Sequence, residues 1–329
     1  MAHPTTTEVD PHDEASFRAW YDTFKSGVTD GRKAPVFSTY DALATSLRNP
    51  SPRRTRLAVA AYEGESICGA MLFEYDIEDD VDVVDVEIGV PPAARGRGVG
   101  TALWNWAVAR MAALGRTIAA VELNIAPDQT LENSLGGRFA LARGFVSSHV
   151  EDHLALAWPG APRTPSSEEA YRVITWTGAT PDDLIEAYAH MWTAMSADVP
   201  TGDLTRDHRI ITPDRIRQSE ERMARSYRSY VAFAQHSDGS PAGYTLVYVD
   251  RSDGSNAIQD DTLVLEEHRG HGLGALLKAA NYAQIREAES DVRWVHTWTA
   301  QSNGAMQRVN TGFGFEVVEV MHEMELKPR

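Results

Sequence analysis

Two glycine-rich runs carry the first chemical signal in this chain. One reads Arg95-Gly96-Arg97-Gly98-Val99-Gly100-Thr101, the other Arg269-Gly270-His271-Gly272-Leu273-Gly274-Ala275. Each follows a β-branched stretch, Val81 to Val90 and Thr262 to Leu265, and each opens a segment with helical character. A strand that ends in Arg-x-x-Gly-x-Gly and starts a helix gathers several backbone N–H groups around one point. The glycines remove Cβ atoms that would block close approach, and the helix N-terminus adds partial positive charge. The combination is a cradle for a pyrophosphate. Glycine-rich turns also cap helices for purely structural reasons, but two copies in equivalent contexts favour the phosphate role. This is not the dinucleotide fingerprint, because Thr101 stands where its third glycine would fall. Nor is it a Walker loop, because no Gly-Lys-Ser/Thr follows.

The landmarks downstream also come in pairs. Asn133 lies 11 residues before Gly144-Phe145, and Asn303 lies 11 before Gly314-Phe315. Arg95 and Arg269 are 174 positions apart, and Gly144 and Gly314 are 170 apart. Two landmarks at nearly one offset indicate an internal duplication of a whole domain, too long a repeat for a solenoid. Between the copies, Trp158 to Ser167 holds three prolines and no apolar periodicity. We therefore expect an N-terminal domain over 1–158, a linker over 159–167 and a C-terminal domain over 168–329.

The elements that must position these runs follow from periodicity and turn residues. In the first half we expect helices at Ala15 to Lys25 and Tyr40 to Arg48, then a hairpin of Arg56 to Tyr62 and Ser66 to Asp76. A strand at Val81 to Val90 leads into a helix at Val99 to Leu114. A strand at Ile118 to Leu123, a helix at Asn133 to Arg143 and a last strand at Asp152 to Trp158 follow. The second half repeats the order: helices near Asp182 to Ser196 and Asp214 to Tyr227, a hairpin over Ser229 to Val249, and a strand at Thr262 to Leu265. Helix Leu273 to Ala288, strand Val292 to Trp298, helix Asn303 to Thr311 and strand Glu316 to Glu325 complete it. The fold class is α/β (α+β).

Composition bounds the partners. With 329 residues and two halves of similar length, each half is large enough for its own core. The 47 acidic side chains outnumber the 31 basic ones, which argues against nucleic acid, since phosphate neutralisation needs a basic surface. It is compatible with a cationic substrate drawn into an acidic cleft, and equally with plain solubility. No apolar run approaches a membrane span, and Met1 to Asp10 does not read as a secretion signal, so a cytoplasmic protein is expected. The single cysteine, Cys68, excludes an internal disulfide and reads as a buried strand residue. His149 and His153 share one strand face without an evident third ligand, so no metal is expected.

The strand–Arg-x-x-Gly-x-Gly–helix unit, followed by strand, Asn, helix and Gly-Phe, resembles the acetyl-CoA-binding core of the Gcn5-related N-acetyltransferases, over roughly Thr6 to Ala157 and again Ala170 to Leu326. The tandem arrangement resembles mycothiol synthase-like actinobacterial proteins. The resemblance implies two twisted mixed sheets, each splayed open beside its Gly-rich turn and flanked by helices. It implies acetyl-CoA as cofactor, its pyrophosphate on Arg95 to Thr101 or Arg269 to Ala275. Val90 and Val264 would offer backbone groups to the pantetheine arm. Asn133 and Asn303 would lie near the thiol end, although both positions also suit a helix N-cap.

Direct transfer to an amine needs a base, a polarised carbonyl and an acid for the thiolate. Glu87 and Asp261 each stand eight residues before the motif arginine and are the candidate bases. The tyrosine that many members carry as acid is replaced by Ala140 and Asn310. Asn310 could position a water, and Tyr244 and Tyr282 are further candidates. Asp198 and Asp203, in a loop where the family builds its acceptor pocket, could bind a cationic amine. The implied activity is N-acetylation of a small-molecule amine. The alternatives are acetylation of an amino-sugar cysteine conjugate or a non-catalytic acyl-CoA-binding scaffold. The more compact motif of the second half, against the longer Pro127 to Gly137 insertion of the first, favours the second half as the catalytic one.

Overall fold

A computed structural model describes residues 4–160, 169–198 and 202–328. The core of the expected linker, 161–167, lies outside the described residues. The first half of the chain forms β1 (Thr5–Glu8), α1 (Glu14–Thr29), α2 (Tyr40–Arg48), β2 (Arg54–Glu63), β3 (Ser66–Asp76), β4 (Val83–Gly89), α3 (Val99–Leu114), β5 (Ile118–Ile125), α4 (Leu135–Leu141) and β6 (Val146–Ala157). The second half forms β7 (Tyr171–Thr177), α5 (Ile185–Asp198), α6 (Pro213–Met223), β8 (Tyr227–His236), β9 (Pro241–Asp250), β10 (Asn256–Val264), α7 (Leu273–Ala288), β11 (Trp294–Ala300), α8 (Gly304–Phe313) and β12 (Glu316–Leu326).

The contacts divide the chain into two compact units that do not coincide with its two halves. The first holds residues up to Val150 together with Thr201–Asp207 and Glu319–Arg329; the second holds Glu151–Pro200 and His208–Val318. In the first unit the strands run β1-β2-β3-β4-β5-β12, and in the second β6-β11-β10-β9-β8-β7. Each half thus gives up its last strand. β12 pairs antiparallel with β5, from Val320 opposite Ile125 to Leu326 opposite Ala119. β6 pairs antiparallel with β11, from Glu151 opposite Ala300 to Ala157 opposite Trp294. Nothing in the local pattern of either strand shows this exchange, because a strand's periodicity fixes which face is buried and not which neighbour it takes.

In the first unit α1 buries Phe17, Trp20, Tyr21 and Phe24 on one sheet face with α2. The spacing of these four is that of a single helical stripe, and Asp13 caps the helix by accepting from the Ser16 N–H at 3.3 Å. The opposite face packs Val84, Val86, Leu103 and Met111 with α3 and α4. The second unit repeats the arrangement, with Leu184, Tyr188 and Tyr244 on the α5 side and Val249, Tyr282 and Phe313 on the α7 side.

Most expected elements are present, with four differences that have local causes. β1 is a four-residue polar edge strand, and β7, Tyr171–Thr177, is an edge strand that follows directly on the linker. β10 starts at Asn256 rather than Thr262, the polar Gln259-Asp260-Asp261 run having hidden its first half. β6 starts at Val146, six residues before Asp152. α4 begins at Leu135 because Ser134, not Asn133, is its N-cap, accepting from the Gly137 N–H at 3.0 Å.

Candidate active site

Each unit opens its sheet at the same place. β4 and β5 run parallel and pair only over Val83–Asp85 against Ile118–Ala120, while β4 continues to Gly89. β10 and β11 pair over Asn256–Ile258 against Trp294–His296, while β10 continues to Val264. Beyond these pairs the strands diverge, and the split leads toward the Gly-rich turn. In the first unit α1 backs the split closely: a Cβ on Gly27 would lie 2.4 Å from the Gly89 carbonyl carbon, so glycine is required where helix and strand backbones meet.

The two turns share one geometry. Gly98 and Gly272 are the left-handed N-caps of α3 and α7, at φ 83° and 72°, and Gly96 and Gly270 are left-handed as well. A Cβ added to any of the four would meet nothing within 4 Å. They are therefore demanded by conformation, and the space in front of the turn is open. The first-turn N–H groups of α3 and α7 face that space with no side-chain cap, which suits an anion. The motif arginine braces each turn from behind: Arg95 Nε donates to the Val90 carbonyl at 2.9 Å and Arg269 Nε to the Val264 carbonyl at 3.1 Å. Each also forms an ion pair, Arg95 with Asp30 at 2.8 Å and Arg269 with Asp198 at 2.7 Å.

These bonds show what surrounds each residue singled out in the sequence. The carbonyls of Val90 and Val264 each accept from the motif arginine, and the side chain of Asp198 pairs with Arg269. Asp203 belongs to the first unit, where its N–H donates to the Ser148 carbonyl at 3.0 Å. Arg97 pairs with Glu63. Thr101 accepts from Arg143 at 2.9 Å, and the Arg143 guanidinium lies over the Phe139 ring. Val99 and Leu273 are core residues at 1% and 2% exposure and can offer only backbone. Gly100 sits under Phe139, whose ring a Cβ would approach to 3.2 Å, whereas Gly274 has 4.0 Å to Val264 and Val309. His271 lies against Tyr171, and Ala275 packs on the α7 core.

The asparagines are local. Asn133 accepts from the Thr130 N–H at 2.9 Å, and Asn303 caps α8 by accepting from Met306 at 3.1 Å. Asn310 is fully buried: its Nδ2 donates to Thr299 Oγ1 and its Oδ1 accepts from Lys278 Nζ, both at 2.9 Å. It holds a core network rather than a reacting group. Lys278 has its pKa pushed down to about 7 by burial. Tyr244 donates to Asp261 at 2.8 Å and Tyr282 to Gln259 at 3.2 Å; burial raises both phenols. Burial also raises the Cys68 thiol, which makes it a poor nucleophile.

The carboxylates at the splits are the chemically distinctive groups. The Glu87 side chain is exposed, but the protein packed around it desolvates the carboxylate, and desolvation, then Glu122 and Glu74, push its pKa up to about 7, against Arg32 and Arg56. Glu122, absent from the sequence-based candidates, is pushed to about 7 by desolvation and by Glu323, Asp85 and Glu74. Glu122 and Glu323 are direct cross-strand partners, a like-charge pairing that is unfavourable unless something cationic joins it. The only sequence clue to Glu122 is a lone acid inside the apolar Ile118–Ile125 strand. In the second unit a bulge between Gln259 and Thr262 sets Asp260 and Asp261 side by side. Asp260 keeps solvent contact, yet desolvation by the surrounding protein and repulsion from Asp261 raise it, and desolvation raises Asp261 against the Tyr244 hydrogen bond. Among the described residues no group of His, Cys, Asp and Glu is arranged to hold a metal, and no helix is long and apolar enough to cross a membrane.

Comparison with known proteins accords with this geometry. Residues 16–131 match the model of the acetyltransferase (GNAT) family. The whole fold matches a tandem GNAT protein from the clavulanic acid biosynthesis pathway, at 25% identity over 99% of this chain and 100% of that one, with a TM-score of 0.84. It also matches a GCN5-related N-acetyltransferase from Sphaerobacter thermophilus at 14% identity, over 98% and 95% of the two chains, with a TM-score of 0.69. Saccharomyces cerevisiae N-myristoyltransferase with bound myristoyl-CoA shares the fold at 8% identity and a TM-score of 0.62, over 100% of this chain and 81% of that one. A search of the curated proteins finds no match.

Proposed function

We propose, from the premise that this chain carries a GNAT acetyltransferase domain and uses acetyl-CoA, that it acetylates a small-molecule amine by direct transfer and that the first unit is the seat of the reaction. One observation carries the choice of unit. Glu87 stands at the split of β4 from β5, eight residues before Arg95, reaches solvent, and has its pKa raised to about 7. A base is most effective when its pKa lies near the working pH. The second unit supports the reaction less well, because Asp261 is held by Tyr244 and Asn310 by Lys278.

The first-turn N–H groups of α3, with Gly96 and Gly98 in front of open space, would hold the cofactor's pyrophosphate. Acetyl-CoA supplies an activated acetyl thioester. Glu87 takes a proton from the acceptor ammonium, directly or through one water. Glu122, two residues past the last β5 position paired with β4, favours a cationic acceptor. The proton needed by the leaving thiolate has no tyrosine donor at Ala140, so protonated Glu87 or water returns it.

The test is thiol release from acetyl-CoA with a panel of small amines. Glu87→Gln is expected to lower kcat by about 10²–10⁴-fold while acetyl-CoA affinity, read by calorimetry, is unchanged. An undiminished kcat would overturn the role of Glu87. Turnover that survives Gly98→Val but not Gly272→Val would move the reaction to the second unit, whose exposed Asp260 would then be the candidate base.

A further inference from the structure

The first unit contains a segment that belongs, in sequence, to the other half of the chain. Residues 202–207 lie between α5 and α6 of the second half, yet they belong to the first unit and bond to its residues. Gly202, at φ 56°, passes so close to Ser148 that a Cβ would lie 2.2 Å from its carbonyl oxygen. Asp203 N–H donates to that same carbonyl at 3.0 Å, and Lys327 Nζ donates to the Asp203 carbonyl at 2.7 Å. The Thr205 N–H is shared by both oxygens of Glu325, at 2.9 and 3.1 Å. Asp207 and Asp80 exchange backbone-to-carboxylate bonds, Asp207 N–H to Asp80 Oδ1 at 2.6 Å and Asp80 N–H to Asp207 Oδ2 at 3.0 Å. Asp80 and Glu325 are buried, at 8% and 2% exposure. Two buried carboxylates therefore commit acceptor capacity to the backbone of one irregular segment.

The strap runs across the acid-lined face. Arg206 Nη2 donates to Asp85 Oδ1 at 2.8 Å, while Arg54 holds the other Asp85 oxygen at 3.2 Å. Asp85 stands two residues before Glu87 on β4, on the same side of the sheet and about 7 Å away. It is the last β4 residue still paired with β5. Arg206 is also the cation that acts on Glu122. The segment thus borders the split at its closed end, with Glu87 and Glu122 just beyond.

We propose that residues 202–207 form a fixed wall of the first unit's acceptor cleft, with Arg206 at its inner edge, and that this wall restricts the cleft to small amines and excludes lysine side chains presented on a peptide. The inference rests on the transferase reading of the first unit and adds a determinant of acceptor size. It also gives the duplication a purpose: the second half supplies a part of the first unit's site.

The experiment uses the full chain and the double variant Asp80→Asn/Glu325→Gln, which weakens the two backbone anchors. Amide hydrogen exchange is followed at Thr205 and Asp207. Acetylation is measured with putrescine, tyramine and glucosamine as small acceptors and with a lysine-bearing peptide. Slow exchange at both amides is expected in the parent protein, and fast exchange in the variant. The parent should prefer its best small amine to the peptide by about tenfold or more in kcat/KM. The variant should narrow that ratio by about fivefold, with acetyl-CoA affinity unchanged. Arg206→Ala, which leaves every backbone anchor in place, should narrow the ratio in the same direction and keep the amides protected. Free-loop exchange in the parent overturns the wall itself. Protected amides with an unchanged acceptor ratio in both variants overturn its role in selection. Protected amides with no turnover of any amine overturn the transferase reading, and the inference falls with it.

Discussion

The coupling between Glu87 and Glu122 gives a pH dependence that can be worked from the structure. Glu87 has its pKa raised from 4.5 to about 7, with Glu122 the largest contributor after desolvation. The acid limb of kcat should therefore bend near pH 7, and at pH 6 only about a tenth of the molecules carry the ionised base. Glu87 and Glu122 lie two residues beyond the last paired positions, Asp85 and Ala120, where the strands have begun to diverge, so a working separation of about 7 Å, wider than the ladder spacing of about 4.8 Å, is taken for their carboxyl groups. At an effective dielectric constant of about 40, between protein and water, two full charges at that distance repel by about 1.2 kcal/mol, or roughly 0.9 pKa units. Glu122 itself titrates near 7, so it is about half ionised there and the effective contribution is about half a unit. Glu122→Gln removes the charge and keeps the shape. Its kcat profile, measured as thiol release at saturating acetyl-CoA and amine from pH 5 to 9, should bend about half a unit lower than the parent's. A parent limb bending near 4.5, or an upward shift in the variant, would refute the reasoning.

Three further outcomes follow from the same contacts. Gly98→Val should weaken acetyl-CoA binding in the first unit by about tenfold or more and cost about 1–2 kcal/mol of stability, because valine is strained at φ 83°; calorimetry and urea melts check both. Since folding raises the pKa of Glu87, the folded state holds that proton more tightly, and stability falls as pH rises from 4.5 to about 7. Glu87→Gln should thus be more stable than the parent at pH 8 by about 1 kcal/mol after solvent screening, and no more stable at pH 4. Lys278 has the opposite linkage: its folded pKa, about 7, lies below the usual 10.5, so the unfolded chain binds more protons between those values and stability climbs with pH across them. In Lys278→Met that climb should disappear from urea melts, leaving at pH 7 a gain of roughly 1–3 kcal/mol once the unpaired Asn310 carbonyl is counted.

What the sequence determined by itself was whatever is encoded locally. The Gly-rich turns, the helices that start at Val99 and Leu273 and end at Leu114 and Ala288, and the position of Glu87 all follow from short-range rules. Left-handed φ values at Gly98 and Gly272, apolar stripes and offsets along one strand are properties of consecutive residues. What the sequence left open were the surroundings decided by a partner far along the chain. Asp198 reads as a free loop acid until Arg269, 71 residues on, takes its charge. Asn310 reads as a site residue until Lys278 and Thr299 close around it. Glu122 gains its significance only when β12 lays Glu323 opposite it, and Asp203 and Arg206 change units altogether. The pairing of β12 with β5 and of β6 with β11 depends on which sheet edge each strand meets. That choice is made by tertiary packing, because a strand's alternation specifies a buried face and leaves its neighbour open.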